Sequence, residues 1–289
     1  MGTVLEREEH IEQSYFFRVF RERVSSNHPA QDVLEQIHEE ILSTTRLPLA
    51  IQFLATELKH TGLLSSGFAR LGHYFTPFQA FVIRQTEDDG RRFTLETALL
   101  VLERLAAYVA GQPTAAGLFV YQFETLSRNR LGYDRGLEAL SNDPFYDDDW
   151  RAYLLWLRRQ IGVIDFADLL YLRSHLYVTD QRKQQPAYEP PVPALFGEKE
   201  GKIAKASRGR DPLYLFAALQ RQLGYPEVPR PKAPDDMGSR LEALKARVRE
   251  LEVRVKLVES EVRGQLDLSQ FYVRPDQPPP ASAGADDEP

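Results

Sequence analysis

Eight apolar residues, Met237, Leu241, Leu244, Val248, Leu251, Val255, Val258 and Val262, follow one another at spacings of 4, 3, 4, 3, 4, 3 and 4. This unbroken a/d pattern allows few alternatives. A strict period of about 3.5 residues keeps one narrow seam on a helix facing a partner, and it imposes left-handed supercoiling. With Leu241 at a, the a positions are Leu241, Val248, Val255 and Val262, and the d positions are Met237, Leu244, Leu251 and Val258. Mostly β-branched a residues with Leu at two d positions favour a parallel dimer. In that register Arg247 meets Glu252 of a second copy and Arg254 meets Glu259, both attractive, while Arg240 against Lys245 is repulsive. An antiparallel pair centred near Leu251 would instead oppose Arg247 with Arg254 and Glu252 with itself. The expected partner is therefore the chain itself, as a parallel homodimer. The competing expectation is that this helix folds back onto its own domain.

Upstream, from about residue 8 to 178, apolar residues recur at helical spacing and few segments alternate with a period of two. Ile11, Tyr15 and Val19 beside Phe16 and Phe20 predict a first helix, and Val33, Leu34, Ile37 and Ile41 a second. Pro48 opens a third that Gly62 closes. Thr76-Pro77 reads as a cap followed by the first helical residue, and another helix starts near Thr94. Phe119, Phe123 and Leu126 mark a further helix. Trp150, Tyr153, Leu154, Leu157 and Ile161 form a full core-facing stripe, and Asp165 caps the next helix. The expected fold is all-α: a multi-helix globular domain over residues 1–178.

Beyond residue 178 the composition turns rich in Pro, Gln and Lys. Residues 179–235 read as a Pro/Lys-rich linker, interrupted by a short amphipathic helix at 212–223. The coiled coil is expected over 236–268. Residues 269–289 should form a disordered tail, because VRPDQPPPASAGADDEP offers too little apolar surface to offset its ordering entropy. Within the linker, Leu195 and Phe196 in PPVPALFG, with Leu215, Phe216, Leu219 and Leu223, are candidate docking residues for an unidentified protein partner. The same side chains could dock onto the chain's own helical domain, and the residues do not separate the two readings.

With 43% hydrophobic and 27% charged residues, the chain can bury an ordinary core. A net charge of -6 argues against nucleic acid as a partner. The absence of cysteine excludes disulfides, thiolate metal sites and Cys nucleophiles. No apolar run is long enough to span a bilayer, and the N-terminus has no signal-like apolar region, so a soluble, cytoplasmic protein without membrane contact is expected.

Two Glu-x-x-His steps, Glu35–His38 and Glu57–His60, have the spacing used twice in bundle di-iron sites, with Glu12, Glu103 or Glu124 as imaginable extra carboxylates. Helical phase argues against a metal site: Glu35 lies roughly 130° from the centre of its helix's apolar face, at about 100° per residue. Glu57 falls within its apolar face and needs a partner, for which Arg70, Lys59 and His60 are candidates. Asp143, Asp147, Asp148 and Asp149 precede the Trp150 helix and read as a helix N-terminus complementing the macrodipole, without EF-hand spacing. His73, in the aromatic-rich connection LGHYFTPFQ, reads as a packed structural histidine that could line a pocket. Lys199, Lys202, Lys205, Arg208 and Arg210 read as a solvated basic linker. No nucleotide-binding, metalloprotease or serine-hydrolase motif occurs. No catalytic residue, metal ligand or cofactor is therefore assigned. The expectation is a non-enzymatic scaffold or adaptor that self-associates through its C-terminal coiled coil. The alternative is a helical-bundle enzyme or ligand-binding protein, metal-dependent or not, with its site in the N-terminal domain around Glu57 and His73.

Overall fold

The computed structural model describes residues 5–88 and 93–230, together with Lys245, Arg247, Val248, Leu251, Glu252 and Val255. It divides into two compact units, residues 1–231 and 232–289. The first is all-α. Its helices are α1 (Arg7–Ser25), α2 (Ala30–Ile37), α3 (Leu47–Thr61), α4 (Leu64–Arg70), α5 (Pro77–Arg84), α6 (Leu95–Ala110) and α7 (Ala115–Asn129), then α8 (Tyr133–Ser141), α9 (Asp148–Gln160), α10 (Phe166–Leu172), α11 (His175–Gln184), α12 (Glu198–Ala206) and α13 (Pro212–Leu223). Among the described residues no strand forms, and no helix is long and apolar enough to cross a membrane.

Local chemistry explains where these helices start. Thr76 and Gln79 form a reciprocal capping box at the head of α5, with Pro77 in the first turn. Thr94, Thr114, Asp147, Asp165 and Ser174 each accept a backbone N–H at the start of α6, α7, α9, α10 and α11. Gly62 ends α3 at a φ of 72°, a left-handed conformation that suits glycine.

Packing centres on α7, whose ten residues from Gly117 to Leu126 are all buried. A helix covered on every face sits inside the bundle rather than on its surface. α1 runs along α6, α8 packs on α9, and α13 packs on α7, α10 and α12. The Trp150 stripe points inward as expected, with Trp150, Tyr153, Leu154 and Leu157 buried. The first helix differs in phase. Phe16, Phe17 and Phe20 are fully buried, whereas Ile11 is 46% exposed and Tyr15 and Val19 lie at the margin.

The body continues past residue 178. α12 falls in the stretch expected to be a linker, α13 coincides with the short helix expected there at 212–223, and three of the five basic residues are engaged: Lys202 pairs with Glu198, Lys205 with Asp180, and Arg208 with Asp168. Arg208 also lies over the Tyr171 ring at 4.3 Å. The chain between α11 and α12 is fastened by backbone pairing, since the Leu195 and Phe196 amides donate to the Arg173 carbonyl and the His175 amide donates to the Phe196 carbonyl at 2.9 Å. Phe196 is fully buried, its ring 5.4 Å from Trp150, 5.8 Å from Tyr153 and 5.9 Å from Phe119. After α13 an extended strap follows. Tyr225 and Val228 are buried, Tyr108 Oη donates to the Leu223 carbonyl at 3.2 Å, Asn129 Nδ2 donates to the Pro229 carbonyl at 3.1 Å, and the Arg104 guanidinium donates to the Glu227 carbonyl.

Candidate functional site

Six residues singled out as candidate docking anchors lie in the body's own packing. Phe196, Leu215, Phe216 and Leu219 are in the buried core, and Leu195 and Leu223 pack against it. These side chains therefore take the second of the two readings open in the sequence, docking onto their own helical domain. Of the eight heptad residues, Met237, Leu241, Leu244, Val258 and Val262 lie outside the described residues. Val248, Leu251 and Val255 are helical and 51%, 52% and 54% exposed. Their spacing places all three on one helix face, so that face presents half-open apolar side chains to solvent.

The two Glu-x-x-His steps do not converge. Glu57, buried, accepts from Ser66 Oγ at 2.7 Å and from the Arg70 guanidinium at 2.6 Å, so Arg70 of α4 is the partner its burial required. His60, Glu35 and His38 border a shallow groove between α2 and α3, and Glu35 is exposed and accepts from Gln31 at 2.7 Å. Among the described residues no three His, Cys, Asp or Glu side chains stand where they could hold one metal ion. Asp147 caps α9, while Asp148 and Asp149 are exposed in its first turn.

Asp143 behaves differently from its neighbours. It is 3% exposed and lines a cavity of about 60 Å³ with His10 and Gln13 of α1, Thr76 and Gln79 at the head of α5, and Gln122 of α7. Leu105, Ala106 and Val109 of α6 and Leu118 of α7 supply its apolar wall, and the exposed Gly72 and His73 stand at its rim. His73 is thus at a pocket edge rather than packed in the core.

Two hydrogen-bond relays orient the polar lining. In the first, the Thr76 amide donates to Gln79 Oε1 at 2.9 Å, which leaves Gln79 Nε2 to donate to Gln13 Oε1 at 3.1 Å. That fixes the Gln13 amide with its nitrogen as a donor, beside the His10 ring and the Tyr74 hydroxyl, yet this buried nitrogen completes no hydrogen bond. Tyr74 gives its own proton to Glu9 Oε2 at 2.6 Å, and Glu9 also accepts from the Arg46 amide at 2.7 Å. In the second relay, the Tyr146 hydroxyl donates to Gln122 Oε1 at 2.6 Å, which turns the Gln122 amide nitrogen toward Asp143.

Asp143 Oδ1 accepts from the Phe145 amide at 3.1 Å. Burial nevertheless dominates and pushes its carboxyl up to about 6, against the opposing pull of the Phe145 amide and the Gln122 and Thr76 side chains. Among the described residues no Lys or Arg lines the cavity. Burial also lowers the His10 pKa, against the influence of Gln13 and Glu9, which favours the neutral ring at pH 7. The cavity therefore offers one unsatisfied donor, one uncompensated carboxylate and a neutral imidazole within a mostly apolar wall.

Little in the residue pattern signals this arrangement, which draws on α1, α5, α7 and the turn before α9. The available signal was Gln122 and Glu124 in the middle of GLFVYQFETL, polar residues in a helix otherwise apolar on nearly every side. Comparison with family models, curated proteins and solved structures finds no significant match.

Proposed function

We propose that this chain is a self-associating adaptor, in which residues 1–230 form a rigid helical body and the heptad segment pairs with a second copy as a parallel dimer. One observation supports this most directly: Val248, Leu251 and Val255 are helical and leave a single apolar face about half open to solvent. Apolar surface in that arrangement gains by burial against an identical ridge, at about 25 cal/mol per Å². The described Arg247 and Glu252 supply one of the attractive pairs that favours the parallel register. Exposed pairs of this kind contribute only about 0.2–1 kcal/mol each, so the seam supplies the affinity and the charges bias the orientation.

The function that follows is bivalent presentation. A dimer carries two bodies, and a partner protein with repeated or twofold sites is then held with an apparent affinity raised by effective concentration. Catalysis is not part of this reading. Light scattering on the full chain and on a chain ending at Asp235 tests it. A dimer that becomes a monomer on truncation supports the proposal, and two monomers remove it.

A further inference from the structure

We propose that the cavity beneath His73 is a binding site for a small amino alcohol, whose ammonium group meets Asp143 and whose hydroxyl oxygen accepts from Gln13 Nε2. The inference is independent of self-association and rests on the body alone.

Four observations select this class of ligand. The carboxylate is buried, and among the described residues no Lys or Arg stands in the lining to compensate it, so a cation is the complementary partner. The Gln13 nitrogen is fully buried, fixed as a donor by the Thr76–Gln79–Gln13 relay, and unpartnered, so the ligand must also bring an acceptor. Leu105, Ala106, Val109 and Leu118 form an apolar wall that suits the short carbon chain between the two groups. The volume of about 60 Å³ admits about four waters, or one molecule of about four heavy atoms. A carboxylate or phosphate ligand would meet Asp143 as a like charge, and a hydrocarbon would leave the Gln13 nitrogen without an acceptor and the Asp143 carboxylate without a counter-charge.

Ethanolamine is the probe of matching size. Ethylene glycol keeps the hydroxyl and lacks the charge, propylamine keeps the charge and lacks the hydroxyl, and glycolate reverses the charge. The full chain is titrated with each in turn, following its thermal midpoint and the heat of binding at about pH 8, where Asp143 is ionised. Ethanolamine at tenfold excess over its Kd is expected to raise the midpoint by about 3–6 °C. Propylamine binds more weakly, and glycolate gives no shift. Asp143→Asn, which keeps the side-chain shape, is expected to weaken ethanolamine at least tenfold, and Gln13→Met to remove the preference for ethanolamine over propylamine. The proposal is overturned if ethanolamine gives neither heat nor midpoint shift with the wild-type chain, which would leave water as the occupant. It is overturned equally if glycolate binds as well as ethanolamine, or if Asp143→Asn binds ethanolamine as tightly as wild type.

Discussion

Tyr225 donates its hydroxyl proton to Glu124 Oε2 at 2.6 Å, joining the strap after the last helix of the body to the buried helix α7 across 101 positions of sequence. Glu124 is 2% exposed and also pairs with Arg128 one turn along α7, so its charge is compensated from two sides. The same Tyr225 hydroxyl lies 3.0 Å from the Phe216 carbonyl of α13. One phenol thus ties together the interior helix, the penultimate packing element and the strap.

Tyr225→Phe keeps the ring and removes that donor to a buried carboxylate. The expected cost is about 1.5–3 kcal/mol of unfolding free energy, the usual range for a hydrogen bond to a charged group. Urea unfolding should show a lower midpoint with an unchanged slope. A midpoint equal to wild type would mean that the strap does not stabilise the body.

Asp143 should leave a signature in the pH dependence of stability. Its carboxyl is pushed up to about 6 by burial, so between its unfolded value and that pH the folded chain binds the proton more tightly than the unfolded chain. The associated stabilisation is complete below the unfolded pKa and is lost as pH rises through about 6. The size of the loss is about 3 kcal/mol, at roughly 1.4 kcal/mol per pKa unit. Asp143→Asn stays neutral throughout. Its stability relative to wild type should therefore rise by about that amount between about pH 4 and pH 7, measured by urea unfolding of both chains at each pH. A difference that does not change with pH would mean that the carboxyl titrates normally.

The segment after α11 supplies a third comparison. Phe196→Ala should cost about 3–5 kcal/mol, as for a fully buried aromatic. Gly201→Ala should also destabilise, by about 1–3 kcal/mol, because an added methyl would meet the Leu176 Cβ at 2.8 Å and the Ser174 side chain. Val192, 46% exposed in the same Pro-rich stretch, should tolerate Ala within about 0.5 kcal/mol. Thermal unfolding of the three variants checks this ordering, and equal midpoints would place the segment outside the cooperative body.

These variants also mark where sequence pattern was sufficient and where it failed. Helix starts were legible at Thr76-Pro77, Thr94 and Asp165 because cap chemistry is local, and the Trp150 stripe was legible because one helix face carries all its large side chains. In α1 two overlapping apolar stripes compete. Burial follows Phe16, Phe17 and Phe20 rather than Ile11, in keeping with the larger apolar area of aromatic rings. Residues 179–230 lacked a long periodic signal because part of this stretch is held by a short backbone pairing at Phe196 and by a single buried phenol at Tyr225. The cavity was not legible at all as a motif. Its donor and carboxylate lie 130 positions apart, at Gln13 and Asp143, and only the packing of α1, α5 and α7 brings them to one space.

The absence of native cysteine makes the heptad seam open to one clean measurement. In a parallel dimer every d residue faces its own copy, whereas in an antiparallel pair centred near Leu251 residue 244 stands opposite residue 258, about 21 Å along the helix from its own copy. Leu244→Cys in the full chain, oxidised under mild conditions and resolved by non-reducing electrophoresis, is predicted to form a disulfide-linked dimer in high yield. An uncrosslinked Leu244→Cys chain that also sediments as a monomer would contradict self-association through this ridge.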